Sequence, residues 1–86
     1  MTLQRRGAAK HKHAARRAWL EAHPAQAVGV PGLHEDVTDA GRLRLDALCA
    51  EMQARGLFGT TVTTVERETV RRLVSELRGE SVGVGW

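Results

Sequence analysis

The chain is poor in most of what marks an enzyme, a secreted protein or a membrane protein. Its 86 residues include one cysteine, Cys49, which excludes an internal disulfide and the covalent support of small secreted folds. A reducing compartment is expected. No apolar run is long enough to span a bilayer, and no secretory-type apolar stretch stands at the N-terminus, so the expectation is a soluble, cytoplasmic protein without a membrane partner. Aromatic side chains number one Phe, two Trp and no Tyr, which argues against recognition of nucleic acid by stacking bases on aromatic rings. The two prolines, Pro24 and Pro31, leave two long stretches in which a helix can form.

Acid is also missing where base is dense. Arg5, Arg6, Lys10, Lys12, Arg16 and Arg17 all precede the first acid, Glu21. From Glu21 onward seven arginines face ten acids, so the basic excess belongs to the N-terminal segment alone. A segment of this kind gains free energy on a polyanion by releasing condensed counterions. The competing reading is a solvated tail with no partner.

Chemistry-bearing constellations are sparse. Metal ligands on a helix need i, i+3 or i+4 spacing to converge. His11 and His13 are two apart, while His23, His34 and Cys49 stand singly, so neither a metal nor a cofactor is expected. Cys49 lies inside an apolar stripe, where a thiol acts as a small hydrophobe and ionises poorly. Gly83-Val84-Gly85 has no following helix to cradle a phosphate. With no acid pair or Ser/His pairing to propose, and with a length that leaves little room for an enclosed site, an enzyme is not expected.

The apolar spacing predicts a mostly α domain with a three-helix core and, at most, a minimal β wing. One helix is expected near 7–23, with Ala8, Ala15, Trp19 and Ala22 near one face, Trp19 as its anchor and Pro24 as its stop. Residues 1 to about 12, overlapping the start of this helix, read as a basic arm. The stretch from Ala25 to Gly41 reads as a loop. A second helix is expected near 45–55, where Leu45, Leu48, Cys49 and Met52 stand at i, i+3, i+4 and i+7, with Gly56 as its left-handed cap. Its start stays open, because Leu43 and Leu45 alternating with Arg42 and Arg44 fit a short strand equally well. Thr63 and Glu66 match a capping box opening a third helix near 64–78, whose stripe is Val70, Leu73, Val74 and Leu77 and whose stop is Gly79. Arg67, Glu68, Arg71, Arg72 and Ser75 fall outside that stripe. Val82, Val84 and Trp86 alternate as a weak strand signal.

Two amphipathic helices joined by a glycine-containing connector suggest a helix-turn-helix with the third helix in a major groove. Thr64, Arg67, Glu68 and Arg71 would then face base edges. Phosphates would be met by Arg5, Arg6, Lys10, Lys12, Arg16, Arg17, Arg72 and Arg78. The stretch Leu45 to Leu77, with Leu-Cys-Ala-Glu-Met-Gln-Ala-Arg-Gly and later Val-Glu-Arg-Glu-Thr-Val-Arg-Arg-Leu, resembles winged helix-turn-helix DNA-binding domains. It is most similar to the arginine-repressor type and to transposase N-terminal domains, in which a helix ending in Arg-Gly leads through a connector into a recognition helix. The resemblance implies duplex DNA as the partner of a sequence-specific or architectural factor with a regulatory or accessory role; the scarcity of aromatics favours DNA over RNA, and a homodimer would suit this class or its rival. A rival class is a protein-interaction module of the phage-accessory kind, motivated by Leu57, Phe58 and Trp86 as exposed apolar candidates and by the acidic loop from Glu35 to Asp39. On the third helix, Glu68 and Arg72 also fit a plain solvated i, i+4 pair.

Overall fold

A computed structural model describes the backbone of residues 2–80 and the side chains of residues 12–80. Three α-helices and one short 3-10 turn make up the regular structure of these residues: α1 (Thr2–Ala22), the turn Pro24–Ala27, α2 (Asp39–Ala54) and α3 (Thr64–Leu77). The mostly α, three-helix core is therefore observed, and no strand occurs among the described residues. The wing signal at Val82, Val84 and Trp86 lies outside them. Leu43 to Leu45, the other candidate strand, is helical within α2.

Helix α1 begins at Thr2, not near Gly7, so the backbone of the basic segment belongs to the same helix as Trp19. Alanine-rich sequence favours this, since alanine gives up no side-chain entropy in a helix. At its far end His23 leaves helical geometry, and Pro24 opens the 3-10 turn. The His23 ring stacks on Trp19 with centroids 4.7 Å apart, and its Nδ1–H donates to the Trp19 carbonyl at 2.9 Å. The inward face differs from the expected one. Ala15 and Ala22 are exposed and Trp19 is half-buried, whereas Leu20 and Arg16 are buried. Burial of Arg16 is tolerated because its guanidinium finds a carbonyl, a carboxylate and a ring there.

Helix α2 starts at Asp39, a turn and a half before Leu45, because Thr38 caps it: the Thr38 hydroxyl oxygen accepts from the Gly41 N–H at 3.0 Å. Its end follows expectation. Gly56 takes φ +77°, its N–H donates to Gln53 O, and the Leu57 N–H reaches back to Met52 O, each at 3.0 Å. The capping box of α3 is also present, with Glu66 N–H donating to the Thr63 hydroxyl at 3.1 Å and Thr63 N–H to Glu66 Oε1 at 2.9 Å.

The core comprises Leu20, Val30, Leu45, Leu48, Cys49, Met52, Phe58, Val70, Leu73 and Val74. Phe58 and Leu57 were candidates for exposure. Instead Phe58 is buried under Arg16, whose guanidinium carbon sits 4.1 Å from the ring centroid, and Leu57 packs against the core. Helix α3 carries a second buried strip beyond its apolar stripe, since Ser75 is fully buried and Arg71 nearly so. The reason is the loop that folds over them. Leu33 N–H donates to Ser75 Oγ at 2.7 Å, and a Cβ at Gly32 would lie 2.9 Å from that oxygen, so the loop backbone approaches α3 at a distance that glycine permits.

Arg71 holds this loop. Its Nη2 donates to the carbonyls of Gly32 at 2.8 Å and Glu35 at 3.1 Å, its Nε to Pro31 O at 3.4 Å, and its Nη1 to both Glu68 oxygens. Arg71→Ala should cost about 3 kcal/mol or more in urea denaturation, since it leaves several buried carbonyls unpaired. Arg71→Lys should recover only part of that, because a point charge cannot replace a planar five-donor fork. The exposed Arg72 provides the control, with Arg72→Ala within about 0.5 kcal/mol of the parent.

Glu66 links the cap to pH. The Thr63 backbone N–H, then the Thr63 hydroxyl and Arg16, hold its carboxyl below the ordinary range against a smaller opposing effect of desolvation. A folded-state value below the unfolded one stabilises above the unfolded pKa, and this stability is lost as pH falls through the folded value. Thermal melts should therefore show the parent's advantage over Glu66→Gln shrinking as pH drops below about 4.

Candidate nucleic-acid interface

Helices α2 and α3 meet along a shallow groove of about 390 Å³ bordered by Val37, Arg42, Asp46, Thr64, Arg67 and Glu68, with Leu45 and Arg71 at its floor. All four residues expected at base edges therefore lie along one groove, but they are not equally available. Thr64 is the first residue of α3 and is exposed. Arg67 is ion-paired with Asp46 of α2 and half-exposed. Glu68 is exposed and carries the Arg71 guanidinium at 3.0 Å. Arg71 itself is 8% exposed, and each of its three guanidinium nitrogens already donates to a loop carbonyl or to Glu68. It is a structural residue and has no free donor to offer a base.

The residues expected at phosphates divide in the same way. Arg16 donates through Nε to Leu57 O at 2.8 Å and through Nη2 to Glu66 at 3.2 Å, which ties α1 to the connector and to the start of α3. Arg78 donates to Ala27 O at 2.9 Å and Val30 O at 2.7 Å, with Glu35 at 3.4 Å. Both are engaged within the fold, Arg78 with about a third of its side chain exposed. Arg17 pairs with Glu76 of α3 at 2.6 Å and has Glu21 at 3.9 Å, while keeping much of its side chain in solvent. Arg72 is exposed and makes no hydrogen bond or ion pair among the described residues; the expected pair with Glu68 is replaced by Glu68 with Arg71. Lys12 is exposed on α1. Arg5, Arg6 and Lys10 belong to α1 by their backbone, and their side chains lie outside the described residues.

Continuity of α1 supplies what the sequence reading lacked, a defined spacing. Arg6, Lys10, His13 and Arg17 stand at i, i+4, i+7 and i+11, one line along the helix. At 1.5 Å per residue this line spans about 16 Å, over which one strand of duplex DNA presents about five phosphates. Arg42 is a groove residue that the sequence reading missed, with two-thirds of its side chain exposed and Asp39 3.5 Å away. The signal was available in Thr38-Asp39, an N-cap followed by a first-turn acid, which places Arg42 in the first turn of a helix.

No cluster of three or more His, Cys, Asp or Glu side chains that could hold a metal ion occurs among the described residues. Among the described residues, no helix is long and apolar enough to cross a membrane. No protein-family model, curated protein or solved structure matches the chain.

Cys49 sits in the core at 2% exposure, and desolvation raises its thiol above the ordinary value, outweighing the opposing pull of Arg67. Alkylation with iodoacetamide at neutral pH should therefore be slow in the native protein and fast in urea. Equal rates in both would show that the core opens freely.

Proposed function

We propose that this is a DNA-binding protein, a small architectural or regulatory accessory factor, that engages duplex phosphates chiefly through helix α1. The observation that carries this reading is the placement of Arg5, Arg6, Lys10, Lys12 and Arg17 on one helix that contains no acid before Glu21. A helix with that charge density attracts a polyanion, and counterion release supplies affinity without base contacts. Helix α3 is the second contact. Its exposed Thr64 and Arg72 remain free to meet DNA, and Arg67 can exchange Asp46 for a phosphate at small cost, since an exposed ion pair is worth about 0–1 kcal/mol.

The engagement of Arg71 shifts the reading toward backbone binding and away from tight sequence discrimination. A recognition helix draws its specificity from bidentate donors at base edges. Here the buried arginine of α3 is committed to a loop, and the groove also carries Asp46 and Glu68, which repel phosphate. Affinity should therefore depend steeply on salt and weakly on sequence.

Fluorescence anisotropy with a random duplex, titrated across salt concentrations, tests this. Replacing Arg5, Arg6, Lys10 and Lys12 together by Ala should lower the slope of log affinity against log salt by about 3–4. Arg72→Ala alone should lower it by about 1 or less. No binding of the parent protein even at low salt would overturn the reading.

A further inference from the structure

Helix α2 has two faces. Gly41, Leu45, Leu48, Cys49 and Met52 are buried against the rest of the fold. On the opposite side Ala40, Leu43, Ala47, Ala50 and Ala54 are all exposed, with Leu43 at 68%. Their spacing is three, four, three and four residues, the repeat of a helix that packs along a second helix. Alanine favours a helix with or without a neighbour, so Leu43 is the side chain of this face that a packing partner would bury. A hollow of about 420 Å³ bordered by Arg44, Ala47, Ala50, Glu51 and Ala54 runs beside it, large enough to receive a leucine side chain.

We propose that the α2 outer face is a homodimer interface in which a second copy of the chain lays its own α2 antiparallel across it. The orientation follows from charge and size. In the antiparallel register that sets Leu43 opposite Ala54 of the second copy, Ala47 falls opposite Ala50, so every layer pairs large with small or small with small. The same register sets Arg44 opposite Glu51 twice, once on each side of the two-fold axis. On the other edge Asp46 meets Gln53, a neutral acceptor and donor pair. A parallel arrangement would instead place Asp46 beside Glu51 in both copies and stack Leu43 on Leu43 between alanine layers, which repels and leaves gaps. Arg44 and Glu51 are both solvent-accessible, the first holding Val28 O at 3.0 Å through Nε with its terminal nitrogens free, the second paired with Arg55. Neither contact prevents a second partner from joining.

Sedimentation equilibrium of the full chain tests the surface without reference to DNA. The weight-average mass should rise from 9.4 kDa toward twice that value as concentration approaches about 1 mM. Arg44→Glu alone and Glu51→Arg alone should each stay monomeric while keeping the parent circular dichroism. The double variant, and an equimolar mixture of the two single variants, should recover the dimer, because each restores opposite charges across the interface. As an orientation check, Ala47→Cys mixed with Ala50→Cys should form the disulfide between unlike copies in preference to either self-pair. A parent that stays monomeric throughout overturns the proposal. A dimer indifferent to the charge reversals, or disulfides that favour like copies, overturns it equally.

Discussion

Buried carbonyl oxygens in the crossing from α1 to α2 are the constraint on which the rest of this fold depends. With no strand among the described residues to pair it, the segment from Ala27 to Glu35 must find hydrogen-bond donors elsewhere or remain in water. Side chains supply them. Arg71 within α3 and Arg78 at its C-cap donate to the carbonyls of Val30, Pro31, Gly32 and Glu35, and the bonds of Arg78 to Ala27 and of Arg44 to Val28 are exposed additions at the edge. The loop can then bury Val30 and Pro31 against the helices. Without those donors the core would lose Val30, and the buried strip of α3 at Arg71 and Ser75 would be open to solvent.

Arginine suits this task for reasons specific to its shape. One guanidinium reaches several carbonyls at once from a single planar group and does not lose its charge on burial. Glu68 and Glu35 stand beside Arg71 and Arg78 and offset the positive charge brought inward. Arg16 repeats the arrangement at the opposite end of the fold, where a carbonyl, a carboxylate and the Phe58 ring converge on it. A domain with one Phe and no Tyr thus replaces part of the usual aromatic core with guanidinium groups and their aliphatic stems.

This explains which parts of the molecule could be read from its sequence. Local signals survived: the Thr63–Glu66 box, the glycine stops at Gly56 and Gly79, and the stripes of α2 and α3 are each decided within about two helical turns of chain. Cys49 as a buried thiol follows from its stripe alone. The start of α2 was equally local, in Thr38, but it was masked by the alternation of Arg42, Leu43, Arg44 and Leu45. What could not be read were the roles of the arginines. Arg16 meets partners 41 and 50 residues away, and Arg78 meets one 51 residues away. An arginine outside an apolar stripe looks like a solvated charge until the loop that covers it is in place.

The same partition determines how substitutions in this protein report on function. Of the eight residues expected at phosphates, Arg16 and Arg78 act inside the fold, and Arg71 does the same among those expected at bases. Replacing any of them by alanine lowers the population of native protein, and binding then falls for a reason unrelated to contact. Arg72 and Lys12 are exposed and outside this network, while Arg17 bridges to Glu76. Under the proposed DNA-binding reading, stability and binding are therefore separable by position, with the interior Arg16, Arg71 and Arg78 moving the first and exposed cations such as Lys12 and Arg72 the second. On that reading Arg17, exposed on α1 and paired with Glu76 of α3, is placed to move both, while the buried Arg16 beside it fastens the helix to the core.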